Sequence, residues 1–368
     1  MSSGEFQNIT LKLLGNLLID NFLILPENGR FITILPFFII HKMKVGLTYD
    51  LRSEYLKQGY TEEETAEFDR EETVAAIEST LNQLGYETER IGNIKQLAKE
   101  LVFGKKWDIV FNICEGLYGI GREAQVPALL DAYNTPYVFS GPLVLALTLH
   151  KAMTKSVVRD AGVPTPAFHV VHTAEDIFEV KLPYPLFAKP LAEGTGKGID
   201  THSVIENPEQ LKERCKYLLK QFKQPVLVET YLSGREFTVG IVGTGEEARS
   251  VGVMEIILNE KAEKNVYSYV NKEECEELVE YVLVKGEIAK ACEKVSLDAW
   301  RALGCEDGGR VDVRHNSEGI PNFIEVNPLA GIHPEHSDLP ILSTKNGITY
   351  PELMQMIMDS AVKKIKKP

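Results

Sequence analysis

The chain has 368 residues, of which 44% are apolar and 25% charged, and its formal net charge at pH 7 is −13. A chain of this length can bury a large core divided among two or three domains. Because no basic stripe offsets the acidic charge, we expect neither nucleic acid nor an anionic membrane as a partner. The five cysteines are scattered without metal-ligand spacing, which is typical of reduced thiols in a cytoplasmic protein.

Residues 1–43 differ in pattern from the rest of the chain. The apolar run at 9–25 is interrupted by polar residues, and the run at 31–40 is about half the length that spans a bilayer. No small-residue cleavage site follows, and an interfacial helix would need a basic polar face. We therefore expect a leader that is non-native or disordered, followed by a first strand at 44–49.

Strand and helix patterns alternate from residue 44 to about 140. Strands are predicted at 44–49, 86–91, 107–113 and 135–139, and helices at 61–84, 94–102 and 124–133. This alternation predicts a parallel sheet with helices on its faces, in which ligands lie beyond the carboxyl ends of the strands.

A lysine-containing helix and a glycine-rich loop follow. The helix is predicted at 142–162 and carries Lys151 and Lys155, and an apolar strand then ends at Lys189. The loop at 193–198 reads EGTGKG, and its glycines let backbone N–H groups approach an anion closely. The pattern indicates a phosphate clamp, with a flexible hairpin tip as the alternative.

Glu229 ends the buried-looking strand 226–229, where a carboxylate is better explained as an acceptor for a ligand than as a core residue. The polar segment 261–280 is predicted to be a mobile loop that leads into a helix at 285–303. A hairpin is predicted at 309–327.

The predicted hairpin carries paired polar residues on alternating positions. Arg310 and Asp312 lie two residues apart on one strand, and Glu325 and Asn327 lie two apart on the other. Residues two apart share a face, so the hairpin could bring both pairs together. Their oxygen ligands suit Mg²⁺, and Arg310 suits an anion. A solvated hairpin face is the alternative.

The order of these motifs resembles the ATP-grasp superfamily, and within it the D-alanine–D-alanine ligase family, from about residue 44 to 362. The resemblance implies an α/β fold of the ATP-grasp type. Its parts would be the leader (1–43), an N-terminal parallel α/β domain (44–140), a central lid domain (141–228) and a C-terminal α+β catalytic domain (229–368).

The resemblance also implies a role for each matching residue. ATP would be bound by Lys151, Lys189, Glu193, Gly194, Thr195, Gly196, Glu229, Tyr231, Leu232 and Glu236, Mg²⁺ by Asp312, Glu325 and Asn327, and the reaction would involve Arg310, Lys272 and Ser337. Two Mg²⁺ ions are implied, with Mn²⁺ as a substitute. The implied protein is a cytoplasmic homodimer that acts on small amino acids, in peptidoglycan biosynthesis.

The implied reaction joins a carboxylate to an amine through an acyl phosphate, with D-alanine as the first choice of substrate. Three departures from the family pattern concern the amino-acid pocket. Glu54 is a loose candidate for the residue that orients the first substrate, Glu115 stands where the family has His while Gln125 keeps its spacing, and Glu273 replaces a Tyr. The alternatives are a bulkier or more basic substrate, a larger metabolite as substrate, and a nucleotide-binding regulator that has lost activity.

Overall fold

The chain divides into two compact units, Met1–Met43 and Lys44–Pro368. In this computed structural model the backbone is described for residues 22–27, 30–36, 42–262 and 275–365, and the side chains for 42–262 and 277–365. In the first unit, strands β1 (Phe22–Glu27) and β2 (Arg30–Pro36) pair in antiparallel fashion. The expected leader, residues 1–43, lies partly outside the described residues. That it is non-native or disordered therefore stays a prediction. Within the described residues, every helix is too short or too polar to cross a membrane.

A parallel sheet opens the second unit, as the alternating pattern predicted. Its strands lie in the order β4–β3–β5, and helices connect them. The bounds are β3 (Lys44–Tyr49), α1 (Arg52–Lys57), α2 (Glu71–Gln83), β4 (Glu87–Gly92), α3 (Ile94–Val102), β5 (Ile109–Ile113) and α4 (Gln125–Ala132).

The predicted helix at 61–84 was too long, because α2 begins only at Glu71. The N–H of Asp69 donates to the carbonyl of Asp50 at 3.1 Å, and the N–H of Arg52 donates to the carbonyl of Asp69 at 2.9 Å. These bonds hold the chain around residue 69 extended beside the end of β3. The predicted strand at 135–139 was also wrong, since it is reduced to one bridge at Tyr137.

The predicted helix at 142–162 is in fact two helices. They are α5 (Pro142–Leu149) and α6 (Lys151–Asp160), and the break lies at His150, whose ψ of 85° is not helical. The imidazole Nδ1 of His150 accepts the N–H of Met153 at 3.2 Å and so caps α6. The break places Lys151 in the first turn of a new helix.

A small antiparallel sheet follows, with strands in the order β6–β9–β7–β8. Its apolar face packs with helix α7 around buried residues such as Leu186, Leu211 and Val228. The bounds are β6 (Phe168–Val171), β7 (Leu186–Pro190), β8 (Val204–Ile205), α7 (Pro208–Phe222) and β9 (Val226–Thr230).

The largest sheet is antiparallel, in the order β12–β11–β10–β13–β14, and it contains the predicted hairpin. Helix α9 (Glu287–Leu303) buries Trp300 against this sheet, and the Trp300 indole N–H donates to the carbonyl of Gly243 at 3.2 Å. Strand β12 (Val279–Val284) was not predicted from the sequence. It begins at the end of the segment 261–280, which was predicted to be a mobile loop. The bounds are β10 (Glu236–Val242), β11 (Arg249–Leu258), α8 (Cys275–Leu278), β12 (Val279–Val284), α9 (Glu287–Leu303), β13 (Gly308–His315), β14 (Pro321–Asn327), α10 (Asp338–Lys345) and α11 (Tyr350–Ala361).

Candidate active site

Strands β13 and β14 pair so that Arg310 lies opposite Asn327 and Asp312 lies opposite Glu325. This register confirms that the hairpin brings the four residues together on one face. Asp312 Oδ1 accepts the hydroxyl of Thr238, from the neighbouring strand β10, at 2.9 Å. The face therefore presents two carboxylates and an amide whose oxygens are the donors that Mg²⁺ prefers.

Arg310 is half-buried between two carboxylates. Its guanidinium contacts Asp312 and lies 3.7 Å from Asp338 Oδ2. Burial alone would lower the pKa of Arg310, but the attraction of Asp312 and Asp338 outweighs burial and raises it. Arg310 therefore keeps its positive charge beside the carboxylates at any working pH.

Two predicted phosphate-binding lysines approach this face from other elements. Lys151 Nζ donates to the carbonyl of Glu193 at 2.7 Å and lies 3.5 Å from Glu325 Oε2. Lys189, at the end of β7, lies 3.1 Å from Glu229 Oε1. The break at His150 matters here, because it directs the first turn of α6 toward β14.

One lysine was missed as a site residue. Lys155 is completely buried on α6, one turn after Lys151, and its Nζ lies 2.9 Å from Glu229 Oε2 and donates to Thr165 at 2.9 Å. Glu229 is therefore held between Lys155 and Lys189. The sequence analysis explained Glu229 as an acceptor for a ligand and did not predict these two ion pairs. The four-residue spacing of the two lysines on one amphipathic helix was the available signal.

An open cleft of about 610 Å³, its mouth included, connects Lys189 and Glu229 to the residues predicted for adenine and ribose. It is lined by Lys189, Glu229, Tyr231, Leu232, Glu236, Asp312 and Glu325, among others. Tyr231 stacks on Phe187 with ring centroids 6.3 Å apart, and its N–H donates to the carbonyl of Pro185 at 3.0 Å. Arg314 lies 3.3 Å from the carboxylate of Glu236. Five of the predicted nucleotide residues thus line one cleft, namely Lys189, Glu229, Tyr231, Leu232 and Glu236.

The glycine-rich loop is docked on Glu67, from the segment before α2. A Cβ on Gly194 would lie 2.2 Å from Glu67 Oε1, so a side chain at this position would displace the Glu67 carboxylate. Lys197 Nζ lies 3.0 Å from Glu67 Oε2 and 3.0 Å from Glu193 Oε2. Arg122 donates to Glu67 at 2.9 Å and to the carbonyl of Ala192 at 3.1 Å. These contacts, here called the loop clasp, attach the loop to Glu67 and Arg122, which lie in connecting segments of the parallel-sheet region.

A second cavity, of about 710 Å³ with its open mouth included, lies on the other side of Glu325. It is lined by Lys151 and Arg310, by the loop residues Glu193, Gly194 and Thr195, and by three acidic residues, Glu67, Glu115 and Glu123. Glu325 also lines the first cleft, so the two cavities meet at that carboxylate.

The residues that line this second cavity bear on two expectations about the amino-acid pocket. Glu54 is exposed on α1 and does not line the cavity, whereas Glu67 does. Glu67 was missed because it lies in an irregular segment without a motif. Glu115 lines the cavity as its position predicted, while Gln125 is exposed and donates to the carbonyl of Tyr118 at 2.9 Å.

The remaining predicted residues lie at the edge of the site or outside the described residues. Ser337 precedes α10, and its hydroxyl accepts the N–H of His333 at 3.0 Å. The next residue, Asp338, is the one that faces Arg310. Lys272 and Glu273 belong to the predicted mobile loop, and both lie outside the described residues.

The chain is similar to known proteins in sequence and in fold. A family model described as D-ala D-ala ligase C-terminus matches residues 157–359. The D-alanine–D-alanine ligase of Bordetella avium is 33% identical over 254 residues, which are 67% of this chain and 77% of the relative. That of Aquifex aeolicus is 31% identical over 291 residues, 78% of this chain and 93% of the relative.

Solved structures show the same fold. The crystal structure of the D-alanine–D-alanine ligase from Bacillus anthracis complexed with ATP superposes with a TM-score of 0.66 at 21% identity, covering 88% of this chain and 98% of that one. The region matched by the family model contains Lys189, Glu229 and both strands of the hairpin.

Proposed function

The chain belongs to the D-alanine–D-alanine ligase family, and from this premise we propose that it joins two amino acids in a peptide bond, with D-alanine as the first choice for both. It is an ATP-dependent carboxylate–amine ligase. The observation that carries the proposal is the hairpin register, which sets Asp312 opposite Glu325 in a cleft that also holds Lys189.

The nucleotide would occupy the 610 Å³ cleft. Lys151 and Lys189 would contact the phosphates, and Glu193, Gly194, Thr195 and Gly196 would cover them as part of the loop. Glu236 would hold the ribose hydroxyls, and Glu229 would face the adenine. The N–H of Tyr231 already donates to the carbonyl of Pro185. Backbone contacts to adenine would therefore be made by the Tyr231 carbonyl and the Leu232 N–H.

The metal would be held by Asp312, Glu325 and Asn327, as two Mg²⁺ ions that Mn²⁺ can replace. The fit rests on the donor set, which is all oxygen and leaves the remaining positions to water and phosphate. When bound, the metal supplies positive charge beside the phosphate oxygens. The hydroxyl of Thr238 orients Asp312 for this task.

The reaction then has two steps. The carboxylate of the first amino acid attacks the γ-phosphorus of ATP, which gives an acyl phosphate and ADP. The amine of the second amino acid attacks the acyl carbon, loses a proton and expels inorganic phosphate. Lys151, Lys189 and Arg310 offset the repulsion between the reacting anions, so catalysis rests on positioning and charge.

Arg310 would contact the acyl phosphate and the tetrahedral intermediate, with Lys272 beside it, and Ser337 would receive the carboxylate of the second amino acid. The docked loop would keep water from the acyl phosphate. We further propose a cytoplasmic homodimer that acts in peptidoglycan biosynthesis.

The experiment is to incubate the full chain with ATP, Mg²⁺ and D-alanine, and to measure ADP release and D-alanyl-D-alanine by mass spectrometry. Arg310→Lys is the variant to compare with the unmodified chain. It keeps the positive charge but loses the planar guanidinium, so it should lower turnover. ADP release with another amine–acid pair and no D-alanyl-D-alanine would overturn D-alanine as substrate. Absence of ADP release with every amino acid would overturn the ligation itself.

A further inference from the structure

Strand β13 carries a third residue on the face that holds Arg310 and Asp312. The register of β13 with β10 sets Asp312 opposite Thr238, and two residues further on it sets Arg314 opposite Glu236. Residues two apart on a strand share a face, so Arg314 continues the row that begins at Arg310. Sequence analysis assigned roles to the first two residues of this row and none to Arg314.

Arg314 forms an ion pair with Glu236, and both residues line the first cleft. Arg314 Nη1 lies 3.3 Å from Glu236 Oε2, and the two side chains are 16% and 24% exposed. Because residues directly opposite on neighbouring strands are close, the strand pairing itself brings the two charges together. A partly buried pair is screened less by salt than an exposed one. Arg314 therefore holds the carboxylate that would bind the ribose hydroxyls.

The same guanidinium contacts the turn that leads into β10. Its Nη2 donates to the Tyr231 hydroxyl at 3.2 Å, and its Nε donates to the carbonyl of Gly234 at 3.3 Å. The guanidinium carbon lies 5.1 Å from the centroid of the Tyr231 ring, a distance at which a cation and an aromatic ring attract each other. Arginine suits this place because its planar fork has five N–H donors. One side chain thus connects Tyr231, Gly234 and Glu236.

The backbone of the turn is fixed to the end of β13 by other contacts. The N–H of Gly234 donates to the carbonyl of His315 at 3.1 Å, and the N–H of His315 donates to the carbonyl of Arg235 at 2.9 Å. A Cβ on Gly234 would lie 2.6 Å from the His315 carbonyl oxygen, so a side chain there would push the turn away from β13. Loss of the Arg314 side chain should therefore leave the backbone in place and release the side chains that it holds.

The charges in the first cleft explain why Glu236 needs a cationic partner. Glu229 and Glu236 both line this cleft, which the anionic phosphates of ATP would enter in the proposed function. Lys189 offsets Glu229 from 3.1 Å, and Arg314 offsets Glu236 in the same way. A carboxylate without a cation beside it would repel the phosphates. Arg314 thus allows the cleft to keep an acceptor for hydroxyl groups and still admit a polyanion.

We propose that Arg314 is a positioning residue that makes the nucleotide site selective for the ribose hydroxyls. It acts through the Glu236 carboxylate, and it fixes the Tyr231 ring at the same time. This inference rests on the proposed function, in which Glu236 receives the ribose hydroxyls of ATP. Without Arg314 the carboxylate can rotate away, so the hydroxyls lose a fixed acceptor while the phosphates keep Lys151 and Lys189.

The first test measures binding by isothermal titration of the full chain with ADP, 2′-deoxy-ADP and 3′-deoxy-ADP in the presence of Mg²⁺. The unmodified chain should bind ADP about tenfold more tightly than at least one deoxy analogue, because a hydrogen bond to a charged group is lost. In Arg314→Met this preference should fall to about twofold or less, since the acceptor is no longer preorganised. Equal binding of all three nucleotides by the unmodified chain, or an unchanged preference in the variant, would overturn the inference.

A matched control separates this role from a general one. Arg235 forms a comparable ion pair with Glu255, and its guanidinium carbon lies 5.1 Å from the centroid of the Phe237 ring, but Arg235 is not among the residues that line the first cleft. Arg235→Met should keep the ribose preference of the unmodified chain within about twofold. An equal loss for all three nucleotides in Arg314→Met would mean contact with the phosphates or support of the fold, and would overturn the inference.

The second test asks whether Arg314 acts through Glu236. Glu236→Gln should lower the ribose preference by itself. Adding Arg314→Met to this variant should then change the preference by less than about twofold, because two residues that act as a unit are not additive. Additive losses of preference would overturn the route through Glu236.

Melting temperatures show whether each variant is folded. If Arg314→Met does not fold, Arg314→Lys decides in its place, because an ammonium keeps the charge but cannot span three partners, and its ribose preference should fall at least about threefold. An unchanged preference in Arg314→Lys would then overturn the inference.

ADP release from ATP with amino acids separates the two proposals. A ribose preference that depends on Arg314, without ADP release, would sink the ligation and leave this inference. Formation of D-alanyl-D-alanine with a ribose preference that does not depend on Arg314 would do the reverse.

Discussion

Lys155 Nζ lies 2.9 Å from Glu229 Oε2, and neither side chain is more than 5% exposed. Lys189 completes the group from the other side, 3.1 Å from Glu229 Oε1. Burial lowers the pKa of Lys155 to about 8, despite the attraction of Glu229. The ion pair links helix α6 to strand β9. It also fixes the position of the Glu229 carboxylate, which lines the proposed nucleotide cleft.

The first prediction concerns this pair. Lys155→Met should lower the free energy of unfolding by about 3 kcal/mol, because breaking a buried ion pair leaves a carboxylate under-compensated. A cycle with Glu229→Gln and the double variant, followed by urea denaturation, measures the coupling. Lys294→Met is the control, since Lys294 pairs with Asp298 at the surface and its loss should cost less than about 1 kcal/mol. Equal effects of the two lysine variants would contradict the prediction.

The second prediction concerns pH. The folded-state pKa of Glu123 is raised to about 7 by burial, above its unfolded value near 4.5, with Glu67 adding to the rise and Arg122 and Lys151 opposing it. The contribution of Glu123 to stability is therefore fully present below pH 4.5 and is lost as the pH rises through about 7. Melting temperatures at pH 5 and pH 8 should differ less in Glu123→Gln than in the unmodified chain. An identical pH dependence in both proteins would refute this explanation.

Local patterns predicted the parts of the molecule that local forces determine. Helix α3 has the predicted bounds, Ile94–Val102, because its apolar stripe and its Asn93 capping box are both written in neighbouring residues. The hairpin register follows from strict alternation around a turn. For the same reason, the four side chains on its face could be grouped from the sequence.

The features that sequence analysis missed depend on contacts between residues that are far apart in the sequence. The break at His150 has no proline or glycine to announce it, and it forms where the N–H of Lys151 donates to the carbonyl of Leu191 at 3.3 Å. Glu67 comes from an irregular segment whose path depends on hydrogen bonds to β3 and α1. Within the described part of the chain, strand β12 lies at the edge of its sheet and pairs with β11 alone, so its formation depends on that pairing.

The third prediction concerns the metal. Asp312→Asn and Glu325→Gln each remove a negative ligand at constant volume, so each should lower ADP release by about 100-fold or more and leave the fold intact. Glu318→Gln, in the exposed turn of the same hairpin, should change neither. Steady-state kinetics over a range of Mg²⁺ concentrations, with circular dichroism for the fold, make the measurement. Unchanged turnover in either site variant would move the metal elsewhere.

The last prediction concerns the loop clasp. Lys197→Met removes both contacts of Lys197, to Glu67 and to Glu193, each 3.0 Å long. Arg122 still holds Glu67 and the carbonyl of Ala192, so the loop should loosen rather than detach. Water then reaches the acyl phosphate more often, and the ratio of ADP released to peptide formed should rise at least about twofold.

Limited proteolysis should cut the loop of this variant faster as well, because its backbone opens more often. Lys212→Met, an exposed lysine on α7, is the matched control and should keep both the ratio and the cleavage rate of the unmodified chain. Faster cleavage with an unchanged ratio would mean that the clasp stabilises the loop without protecting the intermediate. If neither quantity changed, the loop would be held by Arg122 and Gly194 packing alone, and the ion pairs of Lys197 would have no part in excluding water.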